Sequence, residues 1–367
     1  MIALSKNETA EVFSSFNEIT RLGHEQVVYC YDEPTGLKAI IAIHNTVLGP
    51  ALGGTRMWTY SDDQAALIDV LRLSRGMTYK AAISGLNLGG GKAVLIGDPK
   101  ELKNEAFLRR FGRFVESLGG RYITAEDMNM STADMVHLSY VTKHVMGLPE
   151  SMGGSGDPSP VTAYGVYMGM KASAKKAYGS DSLAGKKIAV QGVGQVGHYL
   201  INYLMEEGAA VSIADINENN IKRVTDRHKV EVVGADAIFD VKADIYAPCA
   251  MGATINNDSL SRLSASIICG AANNQLADEK QHGKMLTEKG IVYAPDFLVN
   301  AGGIINIFPE LMGHYNKELA MQQTEGIYSK SLEIFAKAEG EEKTTHQAAL
   351  EIAEKRIADM GKVKLAY

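Results

Sequence analysis

Two lysines and an aspartate stand where side chains could handle protons. Lys80 closes the run Gly76-Met-Thr-Tyr-Lys80, Lys92 follows three glycines twelve residues later, and Asp127 closes Thr124-Ala-Glu-Asp127. Both lysines are flanked by small or apolar residues, Ala81 and Ala82 in one case and Ala93, Val94 and Leu95 in the other, not by the charged runs of a solvated surface. An ammonium in such surroundings is partly desolvated, which lowers its pKa and makes the amine a usable base. Two such amines near each other push their pKa values apart, so that one stays cationic while the other is neutral. A plainer reading stands beside this one: lysines are mostly solvated surface residues, and three successive glycines mostly mark a turn.

A second constellation is Gly192-Val193-Gly194-Gln195-Val196-Gly197, followed by His198. It comes directly after the apolar strand-like run Lys187–Gln191 and opens a helix predicted over 198–207. The first glycine permits a tight turn, the second lets backbone approach a pyrophosphate, and the third lets helix and strand pack closely. The helix start then offers free N–H groups and partial positive charge to phosphates. The next strand-like run ends at Asp215, eighteen residues after Gly197, where an acid binds ribose hydroxyls and repels a 2′-phosphate. Ile216, Asn217 and Glu218 follow, with no arginine among them, so NAD is expected rather than NADP. The plainer alternative is a glycine-rich turn in some other α/β protein, with Asp215 a solvated loop acid.

The elements that must position these residues follow from local pattern. Runs at 26–31 and 37–43 flanking Asp32–Gly36 predict a β-hairpin. Residues 62–79 and 105–118 have helical spacing, and 92–96 and 121–124 read as strands. The segment Ser151–Pro160, rich in small residues and proline, reads as an inter-domain hinge that would let the domains close on a substrate. A helix is expected from 161 to 177. Beyond it, strand-like and helix-like pieces alternate through 293, which predicts a parallel, doubly wound sheet. Residues 316–358 are helical in pattern. The expected fold is therefore α/β. A substrate-binding and catalytic domain over 1–150 is followed by a Rossmann-type NAD-binding domain over 151–340, with a cleft between them and a C-terminal helix within 341–367 returning to the first domain.

Bulk composition narrows the function classes. The chain has 367 residues and a net charge of −6, which leaves no electrostatic footprint for nucleic acid or an anionic membrane. No apolar run reaches the length needed to span a bilayer. The opening MIALSKNETAEVF reads as neither a signal nor a transit peptide. Cys30, Cys249 and Cys269 are widely spaced, suit a reducing compartment, and suggest neither disulfides nor a zinc site. The expected partners are a small-molecule substrate and other copies of the chain, the expected location is the cytoplasm, and no metal is expected.

Taken in order, the motifs resemble those of the glutamate/leucine/phenylalanine/valine dehydrogenases. The resemblance is carried by Gly49-Pro-Ala-Leu-Gly-Gly-Thr-Arg-Met57, Gly76–Lys80, Gly85-Leu-Asn-Leu-Gly-Gly-Gly-Lys92, Tyr122–Asp127, Pro158–Gly165, the glycine fingerprint, Asp244–Cys249, Ala271–Gln275 and Asn300-Ala-Gly-Gly303. It runs from about residue 25 to about residue 312. What it implies is NAD-dependent oxidative deamination of an amino acid. By the same resemblance Lys80 binds the substrate carboxylate, Lys92 is the general base that activates water, and Asp127 exchanges protons with the amino group and the intermediates. The backbone at Gly53 and Gly54 is implied to lie against the substrate. Thr162 and Asn274 are implied to place nicotinamide and substrate, with Asn273 and Asn300 sharing that duty. The family also implies a homo-oligomer, from dimer to octamer. One departure stands out: after Asp127 the family usually continues with valine, glycine and a small polar residue, and this chain has Met128-Asn129-Met130-Ser131.

Substrate choice is read from four positions. Relatives that use glutamate carry a lysine directly before the Gly-Gly pair, and this chain has Leu52. With Ala125, Ile304 and Ile307 it implies a small aliphatic pocket for leucine, valine and isoleucine, although plain core packing explains the same residues. Discrimination among the three substrates amounts to one methylene, about 1–3 kcal/mol. The rival readings are a relative acting on phenylalanine or tryptophan, a non-catalytic NAD-binding regulator, and a hydroxy-acid dehydrogenase. The last normally relies on a histidine base. His198 in the fingerprint helix and His282 in a charged loop read as surface residues instead.

Overall fold

The hairpin expected near residues 26–43 is present in the computed structural model, which describes residues 13–313 and 315–363. Strands β1 (Gln26–Asp32) and β2 (Leu37–Asn45) pair antiparallel, with Cys30 opposite Ala39. Three more strands complete this sheet: β3 (Ala51–Trp58), β4 (Gly89–Ile96) and β5 (Tyr122–Glu126), in the order β1-β2-β4-β3-β5. Strand β4 runs antiparallel to β2, and both β4 and β5 run parallel to β3. The helices of this part are α1 (Ser15–Leu22), α2 (Asp63–Ile83), α3 (Pro99–Leu102), α4 (Glu105–Ser117) and α5 (Thr132–Ser139). Ala66, Leu67, Val70 and Leu71 of α2 pack on Ile40, Ala42 and Val94 of the sheet. Helix α4 is started by Asn104, whose side chain accepts from Phe107 N. Its buried stripe is Phe107, Leu108, Phe111 and Val115.

The second sheet has six strands, all parallel: β6 (Lys187–Gln191), β7 (Ala210–Ala214), β8 (Glu231–Val232), β9 (Ile245–Pro248), β10 (Ile267–Ile268) and β11 (Val292–Tyr293). Their order is β8-β7-β6-β9-β10-β11. The chain leaves β6 in one direction, then returns to its other side, so the strand order reverses between β6 and β9. In such sheets ligands bind at the carboxyl ends of the strands where the order reverses. The accompanying helices are α6 (Ser159–Tyr178), α7 (Gln195–Glu206), α8 (Glu218–Thr225), α9 (Asn257–Arg262), α10 (Glu279–Glu288), α11 (Asp296–Val299), α12 (Gly302–Leu311), α13 (Lys317–Gly340) and α14 (Thr345–Gly361). The core of this half includes Ala189, Ala214, Tyr246, Ile255, Leu260, Ile268 and Leu286.

The two-part α/β reading holds, with differences in detail. Gly89-Gly90-Gly91, a run that mostly marks a turn, instead forms the first three residues of β4. Strand β3 had no counterpart in the periodicity, because its Gly53-Gly54 pair reads as a turn. The chain divides into one unit of residues 1–78 with 89–145 and another of 79–88 with 146–367. Lys80 and the rest of segment 79–88 therefore belong with the second unit and not with a domain over 1–150. Helix α14, expected to return to the first domain, packs on α13 and also reaches residues 79–87, which that expectation counted in the first domain and which divide with the second unit. The residues read as a hinge are held within the second unit as well. Glu310 of α12 accepts from Gly147 N (3.1 Å), Ser155 N (2.9 Å) and Ser155 Oγ (2.8 Å). One carboxylate collecting these donors fixes a segment whose composition alone suggests freedom. The N-terminal segment read as free of a targeting signal lies, up to residue 12, outside the described residues.

Candidate active site

In the first unit, β4, β3 and β5 deliver one residue each to a single ion cluster. Lys92, on β4, is buried, and its Nζ lies 3.0 Å from Oδ2 of Asp127, the residue that follows β5. Arg56, on β3, donates from Nε to the same oxygen at 2.9 Å and reaches Asp69 of α2 at 3.3 Å. Tyr60 donates to Asp69 as well (2.6 Å). Burial pushes the Asp127 carboxyl up, but the charges of Lys92 and Arg56 and their hydrogen bonds outweigh it and hold the group at about 2. Asp127 is thus ionised at ordinary pH and can act only as a proton acceptor until it has taken one up. Arg56 was missing from the expected constellation. Its only sequence signal is a lone cation in the middle of an otherwise apolar and small-residue strand.

The glycines of β3 are required by contact. A Cβ at Gly53 would lie 1.8 Å from the carbonyl oxygen of Gly91. One at Gly54 would lie 2.4 Å from the oxygen of Glu126 and 2.9 Å from Cβ of Asp127. Glycine at 54 therefore clears the space that Asp127 occupies. Tyr122 donates its hydroxyl to Gly53 O (2.7 Å), pinning the same strand from β5. Leu52 and Ala125, expected as pocket wall, are both buried in the sheet, Leu52 at 1 % exposure. After Asp127 the departure from the family pattern has a simple structure. Asn129 takes the left-handed conformation (φ 60°), and its side chain donates to Met57 O at 3.0 Å. Asparagine tolerates that region better than any residue but glycine, so it substitutes there at small cost.

In the second unit, Lys80 Nζ donates to Oδ1 of Asn273 (3.1 Å), and Nδ2 of Asn300 donates to the same oxygen (2.8 Å). Asn300 is buried, with its Oδ1 unpaired among the described residues. Asn274, beside Asn273, is left-handed (φ 50°) and exposed. Thr162 stands in the first turn of α6, its hydroxyl donating to Pro158 O (2.9 Å) and lying 3.3 Å from where a Cβ of Gly303 would be. Ile304 and Ile307 follow on α12 and are buried. The structure thus gathers Lys80, Asn273 and Asn300 by hydrogen bonds and sets Thr162 against the start of α12.

The glycine fingerprint forms the turn its spacing predicts. Gly192 has φ 91° and backs onto Ala250, while a Cβ at Gly197 would lie 2.2 Å from Gly192 O. A Cβ at Gly194 would meet nothing within 4 Å, so the cradle is open there. Helix α7 starts at Gln195, earlier than expected, so Gln195, Val196, Gly197 and His198 form its first turn. Asp215, at the end of β7, accepts from Val193 N and Asn217 N, both at 2.8 Å. Arg223 of α8 donates to Val193 O (3.0 Å) and Gln195 Oε1 (2.5 Å), bracing the turn from outside. An open glycine cradle, a helix N-terminus and a carboxylate at the next strand end fit a dinucleotide. His198 and His282, read as surface residues, are both buried. Burial lowers the pKa of His198, helped by Arg223 and Arg227, and the Asp278 N–H donates to His282 Nδ1 at 2.8 Å on α10.

Comparison with known proteins agrees with this arrangement. Residues 24–144 match the model of the Glu/Leu/Phe/Val dehydrogenase dimerisation domain, and residues 153–218 and 212–364 match that of the Glutamate/Leucine/Phenylalanine/Valine dehydrogenases. The leucine dehydrogenase of Thermoactinomyces intermedius is 53% identical over 352 residues, covering 96% of this chain and 96% of that protein. That of Bacillus subtilis (strain 168) is 53% identical over 345 residues, covering 94% of each. Among solved structures, L-tryptophan dehydrogenase from Nostoc punctiforme is 44% identical with a TM-score of 0.81, covering 94% of this chain and 99% of that one. The chain belongs to the Glu/Leu/Phe/Val dehydrogenase family and is an amino-acid dehydrogenase whose parallel-sheet unit takes a nicotinamide cofactor.

Proposed function

We propose that this enzyme oxidatively deaminates branched-chain L-amino acids, leucine with valine and isoleucine, to 2-oxo acids and ammonia, using NAD. The observation that carries the reading is the buried Lys92 held 3.0 Å from an ionised Asp127. Bound nicotinamide supplies the acceptor for the α-hydrogen, which leaves as hydride. With a proton passed from the substrate ammonium to Asp127, hydride loss leaves an iminium, and Lys92, as the neutral amine, takes a proton from the water that attacks the α-carbon. Asp127 receives and returns protons as the carbinolamine collapses, the C–N bond breaks and ammonia leaves. Lys80 holds the substrate carboxylate, and Asn273, Asn274, Asn300 and Thr162 orient the reacting groups. Leu52 and Ala125 in the first unit and Ile304 and Ile307 in the second bring no charge, which favours an aliphatic side chain over a carboxylate.

Preference for NAD is supported by Asp215, whose carboxylate at the end of β7 opposes a 2′-phosphate. The same proposal includes a homo-oligomer, with the outer edge of β1 and its exposed Tyr29 and Tyr31 as a pairing surface. It places the enzyme in the cytoplasm, where the free thiols of Cys30, Cys249 and Cys269 stay reduced. Among the described residues no helix is long and apolar enough to cross a membrane.

The test is steady-state NADH and NADPH formation with leucine, valine, isoleucine, phenylalanine, tryptophan and glutamate, repeated with Lys92→Ala and Lys80→Met. The expected outcome is highest kcat/KM with the aliphatic substrates and NAD, and a loss in Lys92→Ala of about 10²-fold or more. Highest kcat/KM with an aromatic amino acid would replace the branched-chain reading with the aromatic one. Undiminished rates in Lys92→Ala would remove the assigned base.

A further inference from the structure

Lys80 stands in the last turn of α2, where the final carbonyls of a helix run out of in-helix donors. The backbone closes part of that end. Ser84 N donates to Lys80 O (3.2 Å), Leu86 N to Ala81 O (3.1 Å) and Gly85 N to Ala82 O (3.2 Å), with Gly85 left-handed at φ 77°. Further acceptors at and just beyond this end are reached by a residue 269 or more positions away in sequence. Arg356 of α14 donates from NH1 to Ala82 O (2.9 Å) and Leu86 O (2.8 Å), and from NH2 to Gly85 O (2.9 Å) and Asn87 Oδ1 (3.0 Å). Two residues earlier on α14, Glu354 accepts from the hydroxyl of Tyr79 (3.2 Å). Helix α14 therefore grips α2 on both sides of Lys80, whose own ammonium donates to Asn273.

The chemistry of this grip is unusual for a surface helix. Lys337 of α13 and Lys343 of the connection before α14 reach Glu351, and Lys355 reaches Asp359, so these cations pair with carboxylates. Arg356 instead spends its guanidinium on neutral oxygens, and among the described residues it forms no ion pair. Burial lowers its pKa, yet a guanidinium remains charged in proteins. A planar fork matched to several fixed carbonyls sets geometry more tightly than a flexible ammonium can, and its charge favours the negative end of α2.

We propose that Arg356 is a positioning residue for the reaction: it fixes the terminal turn of α2 and thereby places the ammonium of Lys80, making the C-terminal helix part of the amino-acid site. The inference rests on Lys80 as the carboxylate-binding residue. Arg356→Lys keeps the charge and loses the fork, Arg356→Ala loses both, and Lys80→Met is the reference. Each is assayed for KM and kcat with leucine, KM for NAD, and backbone hydrogen exchange of residues 79–88. In Arg356→Lys the KM for leucine rises about tenfold while kcat and the KM for NAD stay within about threefold. Guanidinium ion added to Arg356→Ala brings the leucine KM back down, a rescue that a purely structural loss would not show. The inference is overturned if Lys80→Met raises the leucine KM but both Arg356 variants leave it unchanged, or if their leucine and NAD KM values rise together. If Lys80→Met itself leaves leucine binding unchanged, the assignment of Lys80 fails first and takes this inference with it.

Discussion

The ammonium of Lys92 and the carboxylate of Asp127 meet at 3.0 Å although their strands, β4 and β5, are not neighbours in the sheet. Strand β3 lies between them, and its glycine at 54 leaves room for Asp127. The pair is further fixed by Arg56, which shares the same carboxylate oxygen.

From that pairing follows a non-additive stability effect. Asp127→Asn removes the carboxylate and strands a buried ammonium, which is costly, whereas removing both charges is not. The single variant is expected to lose stability by about 1–3 kcal/mol, and Lys92→Met added to it is expected to recover part of that loss. Urea denaturation of the two single variants and the double variant measures it. A double variant less stable than Asp127→Asn would mean that the pair is not coupled.

The fingerprint separates fold from binding at the level of single methyl groups. Gly192→Ala meets Ala250 and a left-handed backbone, so it should lower Tm. Gly194→Ala has an ordinary φ of −62° and open space around its Cβ. It should leave the Tm of the ligand-free protein unchanged and raise the KM for NAD by about tenfold or more, because the methyl occupies the cradle. Calorimetry and NAD-dependent rates give the two readouts. An unchanged KM in Gly194→Ala would place the dinucleotide elsewhere.

Acid should weaken the first unit through two histidines, His24 just before β1 and His44 on β2. His24 bonds to Ser74 Oγ at 2.8 Å, His44 bonds to Thr78 Oγ1 at 2.8 Å, and their rings meet edge to face at 4.8 Å. Burial above all lowers both from 6.5 to about 4. For His24 the charge of His44 adds to this, and Arg75 adds to it for both. The unfolded chain then binds more protons than the folded one, so stability falls as pH drops from about 6.5 to about 4. Urea midpoints measured across that window should decline, and less steeply in His24→Gln. A flat profile would show that the histidines titrate normally in the fold.

What could be read from sequence was whatever is settled within a few residues. The turn from Gly192 to Gly197 and the position of Asp215 are local, and both appear as the spacing predicts. The hairpin 26–45 and the alternating strands of the second sheet were legible for the same reason. Strand β3 was not, because Gly53 and Gly54 satisfy a contact with other strands that no local propensity reveals. Contacts far apart along the chain were invisible too: Arg56 meets Asp127 across 71 positions and Lys80 meets Asn273 across 193. The grouping of Lys80 with the second unit follows from such contacts, as does the capture of segment 147–155 by Glu310.

The glycine contacts of the first sheet also limit how such an enzyme can change. Where main chain rests directly on main chain, as at Gly53 against Gly91 and Gly54 against Glu126, no side chain exists to be trimmed or enlarged. Natural variation cannot reshape that wall gradually, since the smallest possible addition already collides. Under the proposed function, new substrate preferences are acquired at positions that bear adjustable side chains, such as Ala125 or the isoleucines of α12, while the two glycines are inherited intact.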